Sequence, residues 1–165
     1  MGVLTKVKIV LENGTPVSEK AISAFELELG FHLSDSFRTF ILTWDGAKPT
    51  ANVFKIDAKI DFAVQRFIPL AEITRQRQYI ENIPDMAYPV ALAEGGNYIF
   101  IDESKAGAVF YWDHDEPMNT RQVAANFGEF LDLLEPVDLK KDDFSDYKVK
   151  RVWVDPEFLK KLQKK

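Results

Sequence analysis

Two segments, NYIFID at residues 97–102 and AGAVFYWD at 106–113, decide how this chain folds. Successive side chains of an extended strand point to opposite faces. Tyr98 and Phe100 therefore oppose Ile99 and Ile101, and Val109 and Tyr111 oppose Phe110 and Trp112. An antiparallel sheet with one wetted face alternates apolar with polar residues, and these runs do not. They are expected to be central strands covered on both faces, or part of a sheet that curls around a core.

The pattern extends outward from this pair. YPVALAE at 88–94 is a third strand-like run, joined to the first by Gly95-Gly96, a common hairpin signal. Short glycine-containing connections between three such runs imply an antiparallel meander. NVFKI (52–56) and AVQRFIPL (63–70) read as earlier strands, with the polar stretch AEITRQRQYIENI (71–83) read as helical. Residues 3–11 alternate loosely and suggest an edge strand ended by Asn13-Gly14. Two amphipathic helices follow. Ser18 is an N-cap for Ile22, Phe25, Glu26 and Leu29 up to Gly30, and Ser34 is a second cap for Phe37, Phe40, Ile41 and Trp44 up to Asp45-Gly46. Asn126 and Glu129 form a capping box for a short helix ending at Pro136. A charged loop, a strand at YKVKRVWV and a helix start at Asp155-Pro156 close the chain.

At 165 residues, 46% hydrophobic and 13% aromatic, the chain has the size and composition of one globular domain. Residues 1–136 read as the main body and 137–165 as a C-terminal strand–helix appendage of the same domain. There is no cysteine, which excludes disulfides, thiolate nucleophiles and thiolate-bound zinc. The opening MGVLTKVKIVLENG lacks the long apolar stretch of a signal peptide, and no run of about 18 apolar residues occurs. A cytoplasmic protein without membrane contact is expected. The net charge of −5 is unevenly placed: residues 140–165 hold nine Lys/Arg and five Asp/Glu, and the remainder 12 against 21. An acidic body repels phosphate backbones and favours basic partners, so direct nucleic-acid binding is not expected. The basic tail could contact nucleic acid, but a solvated helix face explains it as well and is the expected reading.

The chemistry-bearing residues are few in kind. Asp113-His114-Asp115-Glu116 contains metal-ligand types, but contiguous residues on an extended chain point apart, whereas established metal motifs space their ligands. No metal or other cofactor is expected. Glu94, Asp102, Asp113 and Glu116 fall at the ends of neighbouring strands and could line one rim, although no spacing singles out an acid–base pair. Glu94-Gly95-Gly96-Asn97 lacks the following lysine and helix start of a phosphate cradle and reads as a turn. G-x-S-x-G is absent.

Taken in order, the segments resemble the SUKH superfamily, which includes the Smi/Knr cell-wall-regulator relatives and bacterial immunity proteins. The resemblance rests on Glu26-x-x-x-Gly30-x-x-Leu33, Phe37, Phe40 and Asp45-Gly46. It continues with Pro89-Val90-Ala91, Glu94-Gly95-Gly96-Asn97-Tyr98-Ile99 and Asp102. Gly107-x-Val109-x-Tyr111-Trp112-x-His114 and Asn126-Phe127-x-Glu129-Phe130-Leu131 complete it. Ser34 stands where the family generally has proline, Asp45 where Asn is common, and Asn97 where Asp is frequent. The resemblance implies an α+β fold, a curved, mainly antiparallel sheet with helices packed around it. It also implies a binding role without catalysis: bacterial members look like immunity proteins that block toxins, often nucleases. The expected partner is a basic, nuclease-like toxin domain. The expected contact residues are Trp44, Asp45, Glu94, Asn97, Asp102, Asp113, His114, Asp115 and Glu116, with Trp44 as the aromatic anchor unless it lies in the core. The alternative is a regulatory interaction module in cell-envelope or cell-wall signalling, and a third reading is a hydrolase using rim carboxylates.

Overall fold

A computed structural model describes residues 10–57 and 60–137. The terminal strand and helix read beyond residue 137, and most of the strand read over 3–11, lie outside the described residues. The fold is α+β. Its centre is a six-stranded antiparallel meander of β3 (Val53–Asp57), β4 (Ile60–Phe67), β5 (Ala87–Ala93), β6 (Tyr98–Asp102), β7 (Ala108–Trp112) and β8 (Arg121–Ala124). A two-stranded ribbon, β1 (Leu11–Glu12) with β2 (Lys48–Pro49), flanks helices α1 (Glu19–Leu29) and α2 (Asp35–Trp44). A short α3 (Ile73–Arg77) follows β4, and α4 (Phe127–Leu133) follows β8.

Every residue of β6 and β7 is buried, as their two-sided apolar pattern requires. Tyr98 pairs with Trp112, Ile99 with Tyr111, Phe100 with Phe110, Ile101 with Val109 and Asp102 with Ala108. Directly opposed residues share a face, so the hairpin sorts its side chains into two layers. One layer faces the helices: Phe37 of α2 meets Tyr88 at 5.6 Å, and Phe127 of α4 meets Phe37 and Phe40, each at 5.1 Å. The other layer stacks Phe100 on Phe110 at 5.4 Å and sets Tyr98 against Trp112 at 5.9 Å. There Gln76 of α3 accepts the Tyr98 hydroxyl at 2.7 Å.

The sheet is strongly curved. In a flat sheet β4 and β7, three strand spacings apart, would be about 14 Å from each other. The Phe62 and Tyr111 rings on them are 4.5 Å apart. Register shifts in four of the five ladders supply the bend. One falls at Pro89, which has no N–H to give and so fits a central strand only at such a break. After α4, Glu135 exchanges both backbone hydrogen bonds with Val53, at 2.8 and 2.9 Å, and brings the sheet near to a barrel.

Sequence and structure part at three points. The polar stretch 71–83 is helical only as far as Arg77, a 3-10 turn at Leu70–Glu72 leading into α3, because Arg77 turns back to hydrogen-bond the carbonyls of Pro84, Asp85 and Ala87 and folds the chain there. β8 was not anticipated: RQVA has little apolar pattern because it pairs on one side only. Ser18 caps α1 as expected, accepting the Ala21 N–H at 3.1 Å, but the Ser34 hydroxyl makes no cap hydrogen bond to α2. It donates to Glu103 Oε1 at 2.5 Å, and its own N–H and the Tyr88 hydroxyl donate to that oxygen at 2.7 and 2.6 Å. A carboxylate from the β6–β7 connection thus lies at the positive end of α2. Gly107 makes room for it, since a Cβ there would stand 2.8 Å from Ser34 Oγ.

Asp45, expected on the surface, is 7% exposed. Its Oδ1 accepts the Leu70 N–H at 2.8 Å, and its carbonyl accepts the Thr15 N–H at 3.0 Å. Burial pushes its carboxyl above the usual aspartate value, a shift the Leu70 N–H only partly offsets. A pKa raised by folding adds stability at low pH that is lost as the pH rises through the folded value. Asp45→Asn keeps an acceptor without the charge. Its expected stability at pH 7 equals or exceeds wild type, and the gain should vanish below about pH 4, the unfolded aspartate range. Asp45→Ala should cost about 1–3 kcal/mol by orphaning the Leu70 N–H. Urea titrations at both pH values check this, and a destabilised Asp45→Asn at pH 7 refutes it. Phe110→Ala should cost about 3–5 kcal/mol in the same assay; a change under about 0.5 kcal/mol would mean that Phe110 is not core.

Candidate functional site

The β6–β7 hairpin leaves the core at two ends, and the strands between them run about 13 Å. At one end the β5–β6 turn (Glu94–Gly96) meets the β7–β8 connection, which begins at Asp113. Gly95 and Gly96 take φ values of 75° and 82°, which side chains disfavour, and they let the turn close tightly before Asn97. Asn97 is buried and joins the two connections. Its Nδ2 donates to the Tyr111 hydroxyl at 2.6 Å, and its Oδ1 accepts the His114 backbone N–H at 3.0 Å and lies 2.8 Å from His114 Nδ1. The Tyr111 hydroxyl is pushed up to about 12 by burial and by Asp113 nearby, so it stays protonated at neutral pH.

From Asp113 the chain turns rather than extends. Asp113 Oδ1 accepts the Asp115 N–H at 2.9 Å, the Asp113 carbonyl accepts the Glu116 N–H at 3.2 Å, and the Glu116 carbonyl accepts the Asn119 N–H at 2.9 Å. His114 Nε2 lies 3.3 Å from Asp115 Oδ1. The expectation that contiguous Asp113, His114 and Asp115 diverge is therefore corrected: one ligand-type atom from each lies within 4.8 Å of the others. The reasoning from an extended chain fails because these residues form a turn. Glu94, Asp115 and Glu116 are exposed and Asp113 is half-buried. Arg121 approaches Glu116 at 3.8 Å. Among the described residues this tip thus sets the carboxylates of Glu94, Asp113, Asp115 and Glu116 against the Arg121 guanidinium.

The structure does not gather all the expected residues. Asp102 is 1% exposed and sits at the far end of β6, so the rim that was to hold it together with Glu94, Asp113 and Glu116 does not form. Its Oδ1 caps the next turn through Ser104, at 3.0 Å from the N–H and 2.6 Å from the hydroxyl. Its Oδ2 has no hydrogen-bond partner among the described residues. Trp44 is 39% exposed at the end of α2, packed beside Gly14. Glu94, Asn97, Asp113, His114, Asp115 and Glu116 remain together.

Sequence reading missed the exposed side chains beside them. Met118 lies in the same connection, with its sulfur 3.0 Å from Asn82 Nδ2 on the segment after α3. Tyr79 is on that segment too. A methionine in a polar turn was the one available signal. A shallow cleft of about 300 Å³ lies elsewhere, between α1 and α3, lined by Phe31, Thr74, Arg77 and Asp85 among others. Among the described residues no helix is long and apolar enough to cross a membrane.

No curated protein sequence matches the chain significantly. A family model matches residues 16–133, from just before the Ser18 cap to the last residue of α4. That span includes α1 to α4, the whole six-stranded sheet and the acidic tip. The chain belongs to the SMI1 / KNR4 family (SUKH-1).

Proposed function

We propose that this protein is an immunity protein, which binds a cognate toxin domain and neutralises it by occlusion rather than by chemistry. Family membership supports a protein-binding role of this type. The observation that carries the reading further is the acidic tip held in one shape by Asn97. A toxin that cleaves nucleic acid needs a basic groove for the phosphate backbone. Carboxylates on a rigid turn can occupy that groove as phosphate mimics. Because Asn97 and the turn hydrogen bonds already order the tip, little conformational entropy is lost on binding.

The direct test is co-expression with each toxin domain encoded beside the gene. Growth should recover with one of them, and failure to protect against any refutes the reading. Charge complementarity acts mainly on the encounter rate and weakens with salt. The triple variant Asp113→Lys, Asp115→Lys and Glu116→Lys should associate with that toxin domain at least about tenfold more slowly at low salt, with an unchanged fold. Equal or salt-independent rates would remove the tip from the interface. Asn97→Ala should leave the rim charges in place but loosen them. The expected result is faster dissociation, with a modest fall in melting temperature from the unpaired Tyr111 hydroxyl. Unchanged dissociation would show that the tip needs no such support.

A further inference from the structure

We infer that Tyr79 and Met118 form the apolar anchor of the partner interface, and that the surface they define fits a basic protein domain with an apolar depression ringed by Lys or Arg. This rests on the toxin-binding reading above but names residues outside the acidic tip. Tyr79 is 62% exposed and Met118 81% exposed, although each belongs to a segment fixed at both flanks. After α3, the Tyr79 and Ile80 N–H groups bond to Gln76 and Arg77, and Ile80 is buried, which leaves the Tyr79 ring facing outward. Met118 is carried within the Glu116–Asn119 turn, and its sulfur contacts Asn82 three residues beyond Tyr79.

The two residues reach the same end of the hairpin as the acids. Gln76, whose carbonyl accepts the Tyr79 N–H at 3.1 Å, accepts the Tyr98 hydroxyl at 2.7 Å through its side chain, and Tyr98 pairs with Trp112, the residue before Asp113. The outcome is an exposed thioether on the turn that carries Asp115 and Glu116, touching a segment that presents the exposed Tyr79 ring and Glu81. Among the described residues, the basic groups near this end are Arg66, Arg75 and Arg121; Arg66 and Arg75 share the Glu72 carboxylate at 2.8 and 3.5 Å, and Arg121 faces Glu116 at 3.8 Å. Interfaces concentrate their energy in aromatic and methionine side chains ringed by polar groups, and like charges would oppose an acidic partner here. The charge selects a basic domain, and the apolar pair gives it a point to close on.

The experiment uses the full chain and the purified, catalytically inactivated toxin domain against which it protects cells. Tyr79→Ala, Met118→Ala and Met118→Lys are compared with Leu27→Ala, a control on α1 that is 86% exposed. Thermal melts should be unchanged in all four, and Met118→Lys keeps the test valid even if Tyr79→Ala melts early. The expected result is a loss of affinity of at least tenfold for each tip variant, mostly in dissociation rate, with Leu27→Ala within twofold of wild type. Protection in cells with all tip variants binding within twofold would overturn this surface and leave the immunity reading standing. A loss in Leu27→Ala as large as in Tyr79→Ala would also overturn it. Protection against no toxin domain would sink the reading and this surface together.

Discussion

Both strands of the β6–β7 hairpin are buried over their whole length, so neither face can be given to water, and the rest of the fold follows from covering them. The helix-facing layer receives Phe37, Phe40, Phe127 and Phe130 from α2 and α4, with Phe37 stacked on Phe40 and both meeting Phe127 edge-on within one aromatic cluster. The opposite layer needs α3 and the turn after it, which is why Gln76 sits over Tyr98. A flat sheet would leave β3 and β4 away from this core. Bulges curl them over until Phe54 and Phe62 both touch Tyr111. Polar groups leave the hairpin only at its two ends, and both ends are consequently crowded with carboxylates.

Those carboxylates divide by use. At the Asp102 end they are internal fasteners: Glu103 takes three donors at the start of α2, and Asp102 caps the turn that carries Glu103. Glu26 serves the same purpose between α1 and α2. Burial alone would raise its carboxyl, but the Leu33 N–H, His32 and Arg38 outweigh this and hold it below the usual glutamate value. Asp45 fixes the corner before β2. An acidic composition thus overstates the acidity offered to a partner, because several carboxylates are consumed in joining elements. At the Asn97 end Glu94, Asp115 and Glu116 are exposed, on a turn held by Asn97, by backbone hydrogen bonds and by the half-buried Asp113 carboxylate. The functional proposal attaches to that end for this reason.

The strand pattern, the Ser18 cap, the Asn126 cap of α4 and the Gly95-Gly96 turn were legible from residue order because each depends on neighbours within a few positions. So was the two-sided burial of Tyr98–Phe100 and Val109–Trp112, since period-two alternation already states which faces are apolar. Of the expected capping box only the Asn126 half forms, since Glu129 accepts the Ala125 N–H instead. The place of Ser34 was not legible. As a local cap it would bond within α2, but Glu103, 69 positions away, offers a charged acceptor and wins the hydroxyl.

The chain by itself therefore determined the meander, its antiparallel sense and the covering of both faces, because alternation and turn chemistry are written in local sequence. Tertiary structure alone decided which acids reach solvent. Residues at strand ends look alike in sequence, yet antiparallel pairing sends Asp102 to one end of the hairpin and Asp113 to the other. It also decided that Met118, on the connection that carries the acids, lies against Asn82 on the segment after α3. Such juxtapositions join segments more than thirty residues apart, and only the closing of the sheet and the path of the chain after α3 bring them together.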